Sequence, residues 1–331
     1  MKASVIIPTK NPGRIFEQVI CSVLAQQAEF GFEVLIIDSG STDGTIEYIN
    51  SLVDERVRVH EILPGEFGHG RTRNLAISLT TGEYVVLLTH DAMPASDRWL
   101  SNMVRAAEQD QTIAGVFGRH HAYPSADPFT KAELVAHFNN LAQYPIVHLD
   151  DPERYRVDQG YRQLLHFFSD NNALVRRSVW DSINYPDVNF AEDQIWAQRI
   201  IESGYRKAYA DDAAVYHSHN YRLLERLQRS FDESYAFYRL FGYVLAANPV
   251  AVMRSWLALT HRDLKMAREA NLFRSDLLAV VRMPFDHLMR LSGHYLGARG
   301  DRLPQKLRNF LSWDNKLLTG LRKGKSGKEY K

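Results

Sequence analysis

Two hydrophobic patterns alternate through the first 120 residues. Residues 3–7, 33–37 and 84–88 are short, near-continuous apolar runs, the mark of strands buried on both faces. Between them the apolar positions recur at helical spacing, as in residues 14–28 (Ile15, Val19, Val23, Leu24), 45–52 and 71–79, with a short strand at 57–59. The succession predicts an α/β sheet flanked by helices, and such sheets bind ligands beyond the carboxyl ends of their strands. Asp38 and Asp91 stand at two of those ends.

Residues 120–165 lack clear periodicity and are rich in Pro, His, Tyr and Asp, which predicts a structured insertion that shapes a substrate site. The strand and helix signals resume with strands at 167–175, 207–210 and 214–217 and a helix at 191–202 that Gly204 stops. From Tyr221 onward the spacing is helical, over 223–240, around 250–259 and over 277–291. The chain is therefore divided into an α/β domain, 1–221, and a helical region, 222–331.

Composition narrows this picture. The 331 residues are 45% hydrophobic and 24% charged, ordinary for a globular enzyme and unlike a disordered chain. A formal net charge of +1 argues against a nucleic-acid partner. That balance hides a net +7 in residues 302–331 on a body of −6. Leu303, Leu307, Phe310, Leu311, Leu317, Leu318 and Leu321 share a helical face there, among Lys306, Arg308, Lys316, Arg322 and Lys323, with Trp313 close by. A basic amphipathic helix of this kind predicts peripheral membrane contact through 302–331; packing on the body or in a homodimer is the alternative. One cysteine, Cys21, excludes an internal disulfide, the start of the chain reads as a strand, and no 18-residue apolar run occurs. The expected location is the cytoplasm, with peripheral contact on the inner face of the cell membrane.

Five segments carry candidate chemistry. Asp38 opens a small polar turn, Ser39-Gly40-Ser41-Thr42-Asp43-Gly44, which offers a carboxylate for a base or ribose, or simply ends the strand with Asp43 as a helix cap. Gly68-His69-Gly70 leads to Arg71 and Arg73, and arginine forks suit a diphosphate; neither a dinucleotide fingerprint nor a Walker loop is present. Thr89-His90-Asp91 closes an apolar strand with a carboxylate suited to a divalent cation. His217 and His219 are its candidate complement, on one face at strand spacing. Glu192 and Asp193 begin a helix, where acids favour the dipole and a general base can be held rigidly.

In this order, Ser4-Val5-Ile6-Ile7-Pro8-Thr9, Ile37 to Thr45, Arg73-Asn74, His90-Asp91-Ala92 and Glu192-Asp193 resemble the family 2 glycosyltransferases over residues 3–220. Leu88 to Pro94, Ala191 to Ala197 and Tyr216 to Tyr221 resemble the rhamnosyltransferase subgroup. The resemblance implies a GT-A fold, a Rossmann-like mixed sheet flanked by helices, with a helical C-terminal extension. It implies an inverting transfer from a nucleotide-diphospho-sugar, with dTDP-β-L-rhamnose as donor and a glycan or lipid-linked glycan of a bacterial surface polysaccharide as acceptor. Pro8, Thr9, Asp38, Ser41, Arg71, Arg73, Asn74 and His90 would then serve the donor. Asp91 with His217 or His219 would hold Mg²⁺ or Mn²⁺, Asp193 would be the base, and Glu192 and Trp196 would lie on the acceptor side. Thr89 replaces the first acid of the family's Asp-x-Asp, which bears on metal dependence. The processive Gln-x-x-Arg-Trp signature is absent, so the expected transfer is non-processive. The alternatives are a UDP- or GDP-sugar donor, a nucleotidyl- or phosphotransferase, or a catalytically weak sugar-nucleotide-binding protein.

Overall fold

The computed structural model describes residues 1–188 and 190–313. The chain divides into two compact units. The first comprises Met1–Ser125, Lys131–Val188 and Glu192–Ser218; the second is built mainly from the chain after His219, together with Ala126–Thr130.

One nine-stranded mixed sheet organises the first unit. Its strands are β1 (Ala3–Thr9), β2 (Phe32–Asp38), β3 (Val57–Glu61), β4 (Tyr84–Leu88), β5 (Met93–Pro94), β6 (Ile113–His121), β7 (Ile146–Val147), β8 (Asn172–Arg176) and β9 (Arg206–Tyr216). They lie in the order β3-β2-β1-β4-β8-β6-β9-β5, with β7 on β9. The first four are parallel, β8 runs against both β4 and β6, and β6 and β9 are parallel.

Period-two alternation splits each central strand between two cores. Val5, Ile7, Val34, Ile36 and Val86 pack with residues of α1 (Ile15–Leu24) and, further along, of α4 (Trp99–Glu108). Ile6, Leu35, Ile37, Val85 and Leu87 turn to the other face, towards α3 (His69–Ser78) and α9 (Glu192–Glu202). Helix α2 (Thr45–Ser51) follows β2. The insertion at 120–165, which lacks clear periodicity in sequence, is largely helical, forming α5 (Pro128–Leu141), α6 (Pro152–Val157) and α7 (Gln159–His166); α8 (Arg177–Trp180) follows β8.

Two strand expectations change. The apolar run from Phe167 is a strand only from Asn172, because Phe168 turns inward as an aromatic plug against Phe117 and Trp196. The segments 207–210 and 214–217 form one strand, β9. Asp211 and Asp212 break the apolar pattern but are exposed beside a register shift and paired with Arg119 and Arg105.

The second unit is helical: α10 (Leu223–Phe241), α11 (Pro249–Glu269), α12 (Leu272–Ser275), α13 (Leu277–Gly297) and α14 (Gln305–Leu311). The backbones of α10 and α13 come close where a Cβ on Gly293 or Gly297 would meet α10 at 2.5 Å. Ala267, Ala279, Val280 and Met283 form a small core joining α11 and α13. The amphipathic helix expected over 303–321 is described only as α14, and Lys316, Leu317, Leu318, Leu321, Arg322 and Lys323 lie outside the described residues.

Candidate active site

Register places the predicted groups on one edge of the sheet. Thr9 pairs with Asp38, and Ile6 with Leu87, so the ends of β1, β2 and β4 are level. On the antiparallel side Leu88 pairs with Asn172, so the start of β8, just after Asp170, meets the end of β4, just before Asp91. This is the carboxyl edge at which ligands bind in such sheets.

At the first two strands the acid is saturated. Asp38 is fully buried; its Oδ1 accepts the amides of Gly40 (2.9 Å) and Ser41 (2.8 Å), and its Oδ2 accepts the hydroxyls of Thr9 (3.0 Å) and Ser41 (2.5 Å). Gly40 makes this turn possible at φ 90°, where L side chains are strained. Ser41 Oγ also accepts the amide of Asn11 (2.8 Å), while Asp43 binds Thr45 and Gly13. Asp38 therefore stiffens the loop. Pro8 and Ser41 are partly exposed at its surface, and Thr9 is buried.

The end of β4 is different. Asp91 is only half-buried, and its Oδ1 lies 3.5 Å from His217 Nε2 beyond the end of β9. Tyr123 donates to the Asp91 carbonyl (3.0 Å) and fixes the turn. His120, absent from the sequence-based candidates, sits edge-on to His217 with ring centroids 5.3 Å apart. It is buried, and its Nε2 has no hydrogen-bond partner among the described residues. Burial, and then the neighbouring histidines, hold its pKa well below the ordinary value, so it is neutral. His90 is partly exposed, and the Thr89 hydroxyl is buried with no hydrogen-bond partner among the described residues. One carboxylate and one imidazole at this spacing suit a divalent cation that keeps its other positions for phosphate and water. His219 is exposed and begins the second unit.

The third cluster surrounds the start of α9. Arg73 is buried; its Nη1 donates to Glu192 Oε1 at 2.6 Å, and its Nε lies 3.0 Å from Asp170 Oδ2. Burial opposes the charge of Arg73, but Asp170 and Glu192 outweigh it and raise its pKa. Tyr185 donates to Asp170 Oδ1 (2.8 Å), and the Asp170 amide points at Asp193 Oδ2 (3.4 Å). Burial pushes Asp170 up to about 7, with Arg73 pulling the other way. Asp193 is raised well above the usual carboxylate range by burial, then by the charges of Glu192 and Asp170. Immediately before this helix Ala191 has φ 56°, an unusual value for a residue with a Cβ and a point of local strain.

The candidates on α3 and α9 are engaged within the protein. Arg73 and Asn74, expected near the donor, both have internal partners. Arg73 binds the acids, and Asn74 donates to the Tyr185 carbonyl (2.9 Å) while accepting from Trp180 Nε1 (2.8 Å) and the Tyr185 amide (3.2 Å). Asn74 fastens the 180–187 segment to α3, where a Cβ on Gly70 would lie 1.8 Å from the Pro186 carbonyl. Trp196, expected on the acceptor side, is fully buried; it donates to the Ile183 carbonyl (2.8 Å) and stacks with Tyr185. Glu192 is also buried. Arg71 is the arginine that reaches solvent, paired with Asp187 at 2.9 Å. Asp170 escaped the sequence reading; the only signal was an acid just ahead of an apolar strand.

Three acids of distinct environment on one sheet edge, with a cation-type pair beside them, suit a transfer that must both neutralise a leaving group and deprotonate a nucleophile. Residues 4–183 match the model for glycosyl transferase family 2. The chain belongs to that family. It is 34% identical over 235 residues to the O-antigen chain rhamnosyltransferase RfbN of Salmonella typhimurium, covering 70% of this chain and 71% of that one. It is 32% identical over 232 residues to the O-antigen chain rhamnosyltransferase WbaN of Salmonella anatum, covering 69% and 70%. Among solved structures, the mannosyltransferase PcManGT of Pyrobaculum calidifontis, in complex with GDP-Man and Mn²⁺, has a TM-score of 0.56 at 20% identity, covering 90% of this chain and 86% of that one. TarS 1-349 of S. aureus has a TM-score of 0.51 at 17% identity over 91% of each chain. This glycosyltransferase thus has the GT-A fold that the mixed sheet predicts.

Proposed function

We propose that this glycosyltransferase moves L-rhamnose from dTDP-β-L-rhamnose, with inversion, onto a hydroxyl of a growing, lipid-linked O-antigen chain. The observation that carries the reading is Asp193. It is a rigid carboxylate on the first turn of α9, with its proton affinity raised by burial and by two neighbouring acids. The two rhamnosyltransferases identical to it at about a third of the aligned positions support the sugar and the acceptor class.

Charge dictates the division of labour. Breaking the anomeric carbon–oxygen bond leaves negative charge on the departing dTDP and positive character on the sugar. Asp91 and His217, with His219 as a third donor, would hold Mg²⁺ or Mn²⁺, whose charge offsets that of the diphosphate. Pro8, Thr9, Ser41 and His90 line the nucleotide side, and Arg71 reaches for the diphosphate. Asp193 takes the proton of the attacking hydroxyl on the opposite face of the sugar, and a single in-line displacement turns a β-L donor into an α-L product. Arg73, Asp170 and Glu192 act through Asp193, fixing its position and its pKa. The enzyme works on the cytoplasmic side, against the membrane that carries its acceptor.

The decisive experiment compares Asp193→Asn with the parent enzyme. The variant binds dTDP as the parent does while transfer falls about 10²–10⁴-fold. Near-parental transfer would remove Asp193 as the base. In the same assay, release of UDP or GDP from UDP-GlcNAc or GDP-Man in preference to dTDP from dTDP-rhamnose would overturn the donor.

A further inference from the structure

The second unit leaves an apolar surface uncovered. On α11, Val250, Met253, Leu257 and Leu264 are 76%, 51%, 56% and 38% exposed; on α13, Leu277, Leu278, Val281 and Phe285 are 55%, 78%, 56% and 53% exposed. Phe273, on α12 between the two helices, is 47% exposed. These are not strays from the core. Ala267, Ala279, Val280 and Met283 make the joint between α11 and α13, and Trp256 Nε1 donating to the Pro284 carbonyl (2.8 Å) and Asp263 meeting His287 (2.8 Å) complete it. At about 100° per residue, positions 250, 253, 257 and 264 share an arc of about 60° that lies to one side of that joint.

The border of the arc is basic. Arg254, His261, Lys265 and Arg268 fall within the next turn-face of α11, about 60° wide, and all are exposed. Arg274 on α12 and Arg282 on α13 add exposed charge. Among the described residues of these helices, Glu269 is the exposed acid; Asp263 is buried, and Asp276 caps α13 through the Ala279 amide.

We propose that this face of α11–α13 lies on an anionic lipid surface, with the apolar arc entering the acyl boundary and the arginines and lysine meeting phosphate headgroups. Apolar residues flanked by long basic side chains are what such an interface selects, since the stems stay apolar while the charges reach the headgroups. A second copy of the chain fits less well, because pairing this face with itself sets basic border against basic border. The inference stands apart from the donor and acceptor proposed above, because vesicle binding is read without turnover. It rests on two described helices and is separate from the membrane contact expected of residues 302–331.

The test is co-sedimentation of the full chain with vesicles of phosphatidylethanolamine and phosphatidylglycerol, and with phosphatidylcholine alone. The parent protein pellets with the anionic vesicles, more weakly as salt rises. L257E/V281E, at two solvent-facing positions, keeps its circular dichroism and loses binding by about tenfold or more. R254Q/K265Q/R268Q, which leaves the apolar arc intact, loses the salt-dependent part and brings anionic binding down to the phosphatidylcholine level. Binding unchanged in either variant would overturn the proposal. So would a parent protein that stays in the supernatant as a dimer which L257E/V281E dissociates, since that result assigns the face to a second copy.

Discussion

Asp38 and Asp91 end the two strands that flank β1, and in sequence they look alike: an acid after an apolar run, then a polar turn. In the folded chain one is fully buried under four hydrogen bonds, while the other is half-buried beside a histidine. A carboxylate whose lone pairs are filled by its own turn is an architectural group. One that is half-buried beside a histidine at the same edge is placed where a cation or a phosphate-bound ligand can meet it. The position marks the edge of the sheet, and the local donors decide what the acid does there.

Exchanging the two acids for alanine separates these roles most widely. Asp38→Ala strands the hydroxyls of Thr9 and Ser41 and two amides, at a cost of about 3 kcal/mol or more. A fall of roughly 6–12 °C in melting temperature is expected, since each kcal/mol moves a chain of this size by about 2–4 °C. Asp91→Ala leaves the melting temperature within about 2 °C and lowers turnover by about 10²-fold or more. Equal melting temperatures for the two variants would erase the distinction.

The same contrast explains what the sequence made legible. The strands β1, β2 and β4 were readable because both faces of each are buried, so their apolar runs are unbroken. The single strand β9 was not, because two exposed acids interrupt its middle and are tolerated only where the register shifts. As candidates for the site, Asp91, His217 and Asp193 could be proposed from position. The partners of Arg73 could not, since Asp170 and Glu192 lie 97 and 119 residues away along the chain. One error was avoidable. Glu192, Trp196 and Ile200 are spaced at i, i+4 and i+8, a stripe that must face the core, and all three are buried. Asp193, one step round the helix, is partly buried.

Asp170 sharpens the comparison as a third case, an acid buried as deeply as Asp38 but with fewer donors. Its pKa is pushed up to about 7, chiefly by burial. The native state therefore holds a proton that the unfolded chain has already released once the pH passes the ordinary carboxylate value near 4. Stability falls as the pH rises from about 4 to about 7, by at most about 1.4 kcal/mol per unit, and the penalty stays constant above that window. Asp170→Asn keeps an acceptor for Tyr185 and has no proton to lose. Its melting temperature, measured from pH 4 to pH 8, declines less steeply than that of the parent. Parallel curves would mean that Arg73 keeps Asp170 ionised throughout.

The smallest effect concerns Arg71, the arginine of the pair that reaches solvent. Its partner Asp187 is itself exposed, and such pairs contribute under about 1 kcal/mol, so Arg71→Ala is expected to leave the melting temperature almost unchanged. Arg73 is the opposite case, with its guanidinium enclosed by two carboxylates. If solvent access is what frees an arginine to bind a diphosphate, Arg71→Ala weakens dTDP binding by about 3–10-fold, read by titration calorimetry at low and high salt, and the loss shrinks at high salt. An unchanged dissociation constant with a lowered melting temperature would instead make Arg71 a fastener of the 185–187 segment, as Asn74 already is. The two arginines of α3 would then both serve the fold, and the diphosphate would depend on Asp91, His217 and their cation alone.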